Sequence, residues 1–312
     1  MGSAAFPLYS HRCSPKKFTQ PQLFAGLVLK EFLRLDYRKL MGLLTDASEL
    51  AKTIGLTTVP HFTTFQKAAD RLLRAPHTKA LLDATLERAQ QQKRIGRRIE
   101  LAAIDGSGFE ARQASHYYVR RRAKGGKTWQ DTTYTRFPKA ILVSDCATHL
   151  VVSVVTSRGP SPDIPHFRAA LRQAITRHTL GTLAGDAGFD AEHAHEFARH
   201  ECGVKTLIPS RIGRPTQKKP SGRWRRWMAA HLHHTRYSQR WQCETVNSML
   251  KRLQGSALRA RTYWSQTREL HLRIITHNLM ILRRKWVFYR AFLTPFPPRF
   301  LTPFSLSYAG RE

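Results

Sequence analysis

Apolar residues recur at three- and four-residue intervals through the first third of the chain. This is the spacing of one face of an α-helix, and it is clearest at 20–35, 37–44 and 65–73. The pattern predicts a small all-helical domain of four or five helices over residues 18–97, preceded by a loose leader at 1–17. Such a domain fits a helix-turn-helix that enters a DNA groove, and it also fits a plain packing module.

Near residue 98 the pattern changes to short apolar runs that end in turn residues and alternate with amphipathic segments. The first run stops at Asp105 and its following glycines, as expected of a buried strand that delivers an acid to the edge of a sheet. A later run stops in the same way at Asp186. The predicted strands are 101–104, 140–144, 150–155, one within 182–190, and 204–208, and the predicted helices are 163–178, 191–200, 237–251 and 264–292.

Strands and helices in this order predict an α/β fold, with a mixed sheet between helices and a ligand site at strand ends. The strands at 140–144 and 150–155 are so close in sequence that they imply an antiparallel hairpin. We expect this domain to span 98–290. The tail at 291–312 contains several prolines, which cannot continue the preceding helix.

The segment 237–251 has two chemically different faces when it is placed on an α-helix. Its polar stripe consists of Tyr237, Arg240, Glu244, Asn247 and Lys251, and its apolar side consists of Val246, Met249, Leu250 and, just beyond, Leu253. A cationic row beside one carboxylate suits phosphates that are held next to a hard cation such as Mg²⁺. An ordinary surface helix with an i,i+4 ion pair shows the same pattern.

Three acids from three separate segments, Asp105, Asp186 and Glu244, form the minimum set for two-metal phosphoryl chemistry. In that chemistry one cation activates the nucleophile and the other stabilises the leaving oxygen. The glycines beside both aspartates permit close approach of a phosphate backbone. Each aspartate alone is also a common turn former at a strand end, so the hypothesis depends on the three acids together.

Composition favours a polyanionic partner. The chain has 312 residues, with 52 Lys and Arg against 21 Asp and Glu, and a formal net charge of +31. So large an excess repels itself and attracts nucleic acid. The four cysteines are far apart, which predicts neither a zinc ribbon nor a disulfide framework. No apolar run approaches the roughly 18 residues of a membrane span, so we expect a cytoplasmic, nucleoid-associated protein.

Two further segments combine aromatic and basic residues. Residues 110–138 contain Tyr117, Tyr118, Arg120, Arg121 and Arg122, and the basic segment 211–236 contains Trp224 and Trp227. Aromatic rings beside positive charge suit stacking on bases and contact with the DNA backbone. A solvated basic hairpin in the first segment and simple anchoring of a basic loop in the second are the alternatives.

Together these features resemble the DDE transposases of bacterial insertion sequences, in particular the group with a Tyr-x2-Arg-x3-Glu-x6-Lys signature. Tyr237, Arg240, Glu244 and Lys251 meet that spacing without a gap. The sequence around Asp105 resembles the first acidic block of the family, and that around Asp186 resembles the second. The resemblance covers about residues 98 to 285.

The resemblance implies an RNase H-like core that uses two Mg²⁺ or Mn²⁺ ions per active site. It implies that Asp105, Asp186 and Glu244 are the catalytic metal ligands and that the other three signature residues contact phosphates of the element's end. Water would be activated to cut the DNA there, and the freed 3′-hydroxyl would attack target DNA. The implied partners are double-stranded DNA and further copies of the chain, in a homodimer or higher multimer. The helical domain at 18–97 would bind the element's ends.

One departure concerns the interval from Asp186 to Glu244, which is only 58 positions. Relatives with a large β-rich insertion there have a longer interval, and only 211–236 remains for that role. The resemblance therefore does not extend to a hairpin intermediate on the element's end. Asp190 follows the second acid by four positions, and we assign it a structural role. The rival functions are an RNase H-like nuclease that cuts without joining and a catalytically silent DNA-binding protein derived from a transposase.

Overall fold

The structure is a computed structural model that describes residues 6–111, 116–122, 129–210, 220–232 and 236–293. The side chains of Tyr117, Arg121, Arg122 and residues 284–293 are outside this description. Nearly all of the predicted tail at 291–312 and a large part of the basic segment at 211–236 therefore lie outside the described residues.

The N-terminal region is helical, as predicted. Its helices are α1 (Gln20–Phe32), α2 (Tyr37–Asp46), α3 (Ser48–Thr53), α4 (Phe62–Leu72) and α5 (Ala75–Gln91). Thr19 and Gln22 form a capping box at the start of α1, because each side-chain oxygen accepts the backbone N–H of the other residue. Asp36 caps α2 by accepting the backbone N–H of Lys39. Local polar residues thus set where the first two helices begin.

Five strands form the central sheet. The strands of the described chain are β1 (Arg98–Gly108), β2 (Glu110–Ala111), β3 (His116–Arg122), β4 (Trp129–Thr135), β5 (Phe137–Asp145), β6 (Val151–Gly159), β7 (Thr179–Gly185), β8 (Lys205–Leu207) and β9 (Ala257–Leu258). The order in the sheet is β6-β5-β1-β7-β8. β5 is antiparallel to both β1 and β6, whereas β7 is parallel to both β1 and β8. This confirms the predicted α/β fold, with its RNase H-like mixed sheet and its antiparallel hairpin.

Helices cover both faces of this sheet. They are α6 (Phe167–Ile175), α7 (Glu192–Glu196), α8 (Arg223–His231), α9 (Trp241–Gln254) and α10 (Tyr263–Leu293). α9 lies on the face of Asp105, to which Asn247 donates a hydrogen bond. α6 lies on the other face, where the Ser153 hydroxyl donates to the Ala170 carbonyl, 2.8 Å away. α10 follows the edge strand β6, and the Asn278 amide bonds both the N–H and the carbonyl of Val151 at 2.9 Å.

The helical N-terminal region packs directly onto the last helix. Leu272 and Ile275 of α10 join the buried apolar side chains of the N-terminal helices. Gly26 permits a close approach to Phe65, since a Cβ there would lie 2.5 Å from the Phe65 ring. Arg273 of α10 also pairs with Glu31 of α1, with 3.0 Å between Nε and Oε1 in a buried position. α10 therefore connects the N-terminal helices to the sheet.

Two predicted boundaries next to the acids Asp105 and Glu244 were wrong. The prediction ended the first strand at Asp105, but β1 continues to Gly108 because β5 pairs with it that far, whereas β7 stops beside Ile104. The prediction also placed 237–251 on one α-helix, but Arg236–Arg240 form a 3₁₀ turn and α9 begins only at Trp241. Among the described helices, none combines the length and apolar character that a membrane span requires.

Candidate active site

Asp105 lies in β1, and Asp186 directly follows the end of the parallel neighbouring strand β7. Ile104 of β1 pairs with Gly185 of β7, so the two aspartates are the next residue on each strand. β7 ends there, and the Asp186 carboxylate accepts the N–H of Gly188 at 2.9 Å in the following turn. On that side β1 continues to Gly108 without a neighbouring strand among the described residues. The structure thus brings the two predicted acids together at the point where β7 ends and β1 continues.

Burial and the charge of Asp186 raise the pKa of Asp105 to about 6. A hydrogen bond from Asn247 and the charge of Arg240 act in the opposite direction without cancelling these effects. Two carboxylates that repel each other in a partly buried place are a favourable site for a divalent cation, which relieves that repulsion.

α9 is fixed over Asp105 by contacts along its first turns. Asn247 is buried, and its Nδ2 donates to Asp105 Oδ2 at 2.8 Å. Cys243 is also buried and packs against Ala103 and Cys146. These contacts hold the helix that carries Glu244 against the strand that carries Asp105.

The turn between β5 and β6 supports the start of α9. His149 Nε2 lies 2.5 Å from Gln242 Oε1, and the His149 carbonyl lies 2.9 Å from His277 Nε2 of α10. His149 adopts a left-handed backbone conformation with φ of 63°. The turn therefore contacts both helices, because the His149 side chain bonds Gln242 of α9 and the His149 carbonyl bonds His277 of α10.

Glu244 lies on the exposed side of α9, with its side chain 54% exposed. Its carboxylate is paired with Arg240, which also interacts electrostatically with Asp105. Within the described residues, no three His, Cys, Asp or Glu side chains are grouped closely enough to hold a metal ion. Asp105 and Asp186 fit a hard cation by their chemistry, and Glu244 would have to leave Arg240 to complete the set.

The other two signature residues lie on opposite sides of Glu244. The Tyr237 ring packs against Ala184, Leu207 and Met228, and its hydroxyl interacts electrostatically with Asp186 and Glu244. Lys251 lies one helical segment further, with Nζ 5.5 Å from the centre of the Phe109 ring. The structure therefore gathers Tyr237 and Arg240 around the acids and places Lys251 beyond them.

Asp190 belongs to a different cluster from Asp186. Its side chain is fully buried, and both carboxylate oxygens bind Arg225 at 2.7 to 3.0 Å. Glu192 accepts the backbone N–H groups of Trp224 and Arg225 and so caps α8. Gly222 allows this approach, because a Cβ there would lie 2.1 Å from the Glu192 carboxylate. Asp190 and Glu192 thus hold α8 against the second acidic segment.

The two predicted tryptophans have different surroundings. Trp224 is half-buried, with the Arg199 guanidinium 4.0 Å from its ring centre and its Nε1 donating to His200. Trp227 is 39% exposed and stacks on His231, with 4.9 Å between ring centroids. Trp224 is therefore an anchor of α8, and Trp227 presents part of its ring to solvent.

The predicted basic hairpin is formed by β3 and β4, which pair with each other and not with the central sheet. Arg120 lies 4.0 Å from Asp131 and over the exposed Trp129 ring. The side chains of Arg121 and Arg122 lie outside the described residues. Tyr118, Arg120 and Trp129 of this hairpin are exposed.

Sequence reasoning missed the residues that position α9. Asn247 was included in the polar stripe without a role, and nothing was inferred for His149 or Gln242. A buried role for Asn247 was within reach, because a residue three positions after Glu244 lies about 60° around the helix, toward Val246 and Leu250. The His149 contact spans 93 positions and has no local signal.

Comparisons with known proteins give the following similarities. A family model described as Transposase DDE domain matches residues 96–279. The solved piggyBac transposase synaptic complex with hairpin DNA is 11% identical with a TM-score of 0.43, over 90% of this chain and 68% of that one. The Mos1 strand transfer complex is 12% identical with a TM-score of 0.29, over 89% of this chain and 79% of that one. No curated protein matches the sequence.

Proposed function

The chain belongs to the Transposase DDE domain family, and from this premise we propose that it cuts DNA at the ends of an insertion sequence and joins the freed 3′-hydroxyl groups to target DNA. We assign it to the bacterial group with the Tyr-x2-Arg-x3-Glu-x6-Lys signature. The observation that supports this proposal best is that Asp105 and Asp186 directly follow the paired residues Ile104 and Gly185, beneath the helix that carries Glu244. Binding alone would not require such a pair of unneutralised carboxylates.

In the proposed site Asp105, Asp186 and Glu244 hold two Mg²⁺ or Mn²⁺ ions. When bound, these ions supply Lewis acidity for the attacking and the leaving oxygen of the phosphodiester. Asp105 is held in place for this task by Asn247, and Asp186 by the Gly188 N–H. Both carboxylates are therefore oriented before any ligand arrives.

Arg240 has a separate role in the proposal. It neutralises Glu244 in the structure, and we propose that it releases this carboxylate when a DNA phosphate takes its place. Tyr237 and Lys251 would contact neighbouring phosphates on either side. The net charge of +31 favours association with the DNA before these contacts form. We further propose that residues 18–97 bind the element's ends and that the protein acts as a homodimer or higher multimer.

The test incubates purified protein with linear DNA that carries the sequences flanking its coding region, in the presence of Mg²⁺. We expect joined products from the parent protein and none from Glu244→Gln. Glu100→Gln is the matched control, because Glu100 is an exposed acid of β1 that pairs with Arg98. Cleaved but unjoined DNA would indicate a nuclease instead. Equal joining by the parent and Glu244→Gln would remove Glu244 from its role.

A further inference from the structure

Three side chains form an exposed aromatic and basic cluster at the start of α10, which we call the Trp264 platform. The Arg158 guanidinium lies 4.0 Å from the centre of the Tyr263 ring. Tyr263 contacts Trp264 edge to face, with 5.4 Å between ring centroids and 62° between ring planes. Trp264 is 70% exposed, so most of its indole surface meets solvent.

The platform lies on the same face of the sheet as Asp105. Leu142 pairs with both Asp105 and Val154, and Arg158 follows Val154 by an even number of residues, so its side chain shares that face. Asp105 and Arg158 are separated by about 13 Å along the strands and about 10 Å across two strand spacings. Arg158 is therefore roughly 16 Å from Asp105, which is about the length of five nucleotides in a duplex strand.

Lys251 lies between the acids and the platform. Its Nζ is 5.5 Å from the Phe109 ring, and the Phe109 N–H donates to the Pro138 carbonyl at 2.8 Å. Pro138 in turn pairs with Arg158. A DNA strand whose phosphates follow α9 from Arg240 to Lys251 is thus directed toward the platform.

The chemistry of the platform fits an unpaired base. In a duplex both faces of a base are covered by its neighbours, whereas an unpaired base offers a free π-face to an aromatic ring. Among the described residues the Arg158 guanidinium forms no ion pair, so its charge remains available for a phosphate. The exposed Trp264 indole and the Arg158 guanidinium on the neighbouring Tyr263 ring together offer the two contacts that single-stranded DNA requires, a stacking surface and a positive charge.

We propose that the Trp264 platform binds an unpaired base of the DNA strand that passes along α9. The proposal rests on the proposed function, because it takes the bound polymer to be DNA whose ends are processed at Asp105 and Asp186. It adds a binding site for single-stranded DNA outside the signature residues. Trp264 supplies the stacking surface, and Arg158 holds Tyr263 in place and contacts the backbone.

The test measures equilibrium binding by fluorescence anisotropy in EDTA, so that no cleavage occurs. The probes are a blunt DNA duplex and the same duplex with a short single-stranded 3′ overhang. Parent protein is compared with Trp264→Ala, with Trp264→Phe, which keeps a ring, and with Leu8→Ala, a control at an exposed apolar residue. We expect Trp264→Ala to weaken binding of the overhang probe about tenfold while binding of the blunt probe changes less than about twofold. Trp264→Phe should retain most of the affinity, and Leu8→Ala all of it.

Three results would overturn the proposal. Unchanged affinity of Trp264→Ala for the overhang probe would remove the platform and leave the proposed function intact, provided that the parent binds the blunt duplex. An equal loss on both probes would mean that Trp264 supports general DNA binding. A changed sedimentation coefficient of DNA-free Trp264→Ala, with DNA affinity preserved, would make the patch a protein contact. A parent that binds neither probe would contradict the proposed function itself.

Discussion

Two aspartates four positions apart in the chain have opposite environments. Asp190 is fully buried and neutralised by Arg225, which holds it through both carboxylate oxygens. Asp186 stands beside Asp105, and within the described residues neither of these two acids has an ion-pair partner within 4.0 Å. Arg225 thus neutralises Asp190, which supports α8, whereas no ion pair within the described residues neutralises Asp105 or Asp186.

This difference separates a structural acid from functional ones. A buried acid with a matched base stabilises only its surroundings, because its charge is already satisfied. Burial and then the neighbouring Asp186 carboxylate raise the pKa of Asp105, so the charged form of Asp105 destabilises the folded state. Such repulsion persists where an external cation relieves it during function. Variants that change one acid or its partner at a time test whether this difference is real.

The largest expected effect is on DNA joining. Asp105→Asn removes a charge from the proposed cation site while keeping the size of the side chain and an oxygen that can accept from Asn247. We expect joining to fall at least about 1000-fold, which corresponds to about 4 kcal/mol of transition-state stabilisation. The rate of product formation on linear element DNA measures this. A loss below about tenfold would contradict the assignment of Asp105.

The second-largest expected effect is a loss of folding stability when Asp190 loses its partner. Arg225→Met leaves Asp190 buried without its partner, so we expect the free energy of unfolding to fall by about 3 kcal/mol. Urea denaturation measures this, with Arg226→Met as the control because Arg226 is exposed and bonds only a backbone carbonyl of its own helix start. A loss below about 1 kcal/mol would place Asp190 among acids that need no partner.

A smaller effect on stability is a gain instead of a loss, and it depends on pH. The pKa of Asp105 rises from 3.8 to about 6 in the folded protein. A carboxyl with a raised pKa binds protons more tightly in the folded state, so stability falls as pH rises through this window. Without metal, we expect the free energy of unfolding of Asp105→Asn to exceed that of the parent by about 1 to 2 kcal/mol at pH 8. Near pH 4 the two free energies of unfolding should be equal. Urea denaturation at the two pH values measures the difference, and a variant less stable than the parent at pH 8 would contradict this prediction.

The smallest effect concerns the contact between the helix and the strand. Asn247→Ala removes the hydrogen bond to Asp105, so we expect stability to fall by about 1 kcal/mol and joining to fall about tenfold. Thermal unfolding and product formation measure the two effects. Ser248→Ala on the exposed side of the same helix is the matched control, and we expect it to change neither. Equal behaviour of the two variants would mean that Asn247 does not position Asp105.

Local patterns in the sequence predicted much of the fold. Apolar periodicity located the N-terminal helices, and apolar runs located the strands, because burial on one face or on both faces imposes these spacings. The runs before Asp105 and Asp186 predicted that both acids follow buried strands. Their adjacency depends on the parallel pairing of β1 with β7, which no local pattern specifies. It was inferred only from the general placement of sites at strand ends.

The remaining features depend on contacts between distant segments. The continuation of β1 past Asp105 is caused by pairing with β5, more than thirty positions away. The burial of Asn247 requires α9 to lie on that strand, and the capping of α8 by Glu192 spans 32 positions. The Trp264 platform joins the end of β6 to the start of α10. Periodicity describes one element at a time, so it cannot predict such contacts.

The central claim is that Asp105 and Asp186 together bind divalent cations. Thermal unfolding at pH 8, with and without Mn²⁺, tests this claim without depending on catalysis. We expect Mn²⁺ to raise the melting temperature of the parent and of Glu100→Gln by about 3 °C or more, because a ligand that binds only the folded state stabilises it. Asp105→Asn and Asp186→Asn should show no such rise. An equal rise in the parent and both aspartate variants would show that Mn²⁺ binds elsewhere and would contradict the account.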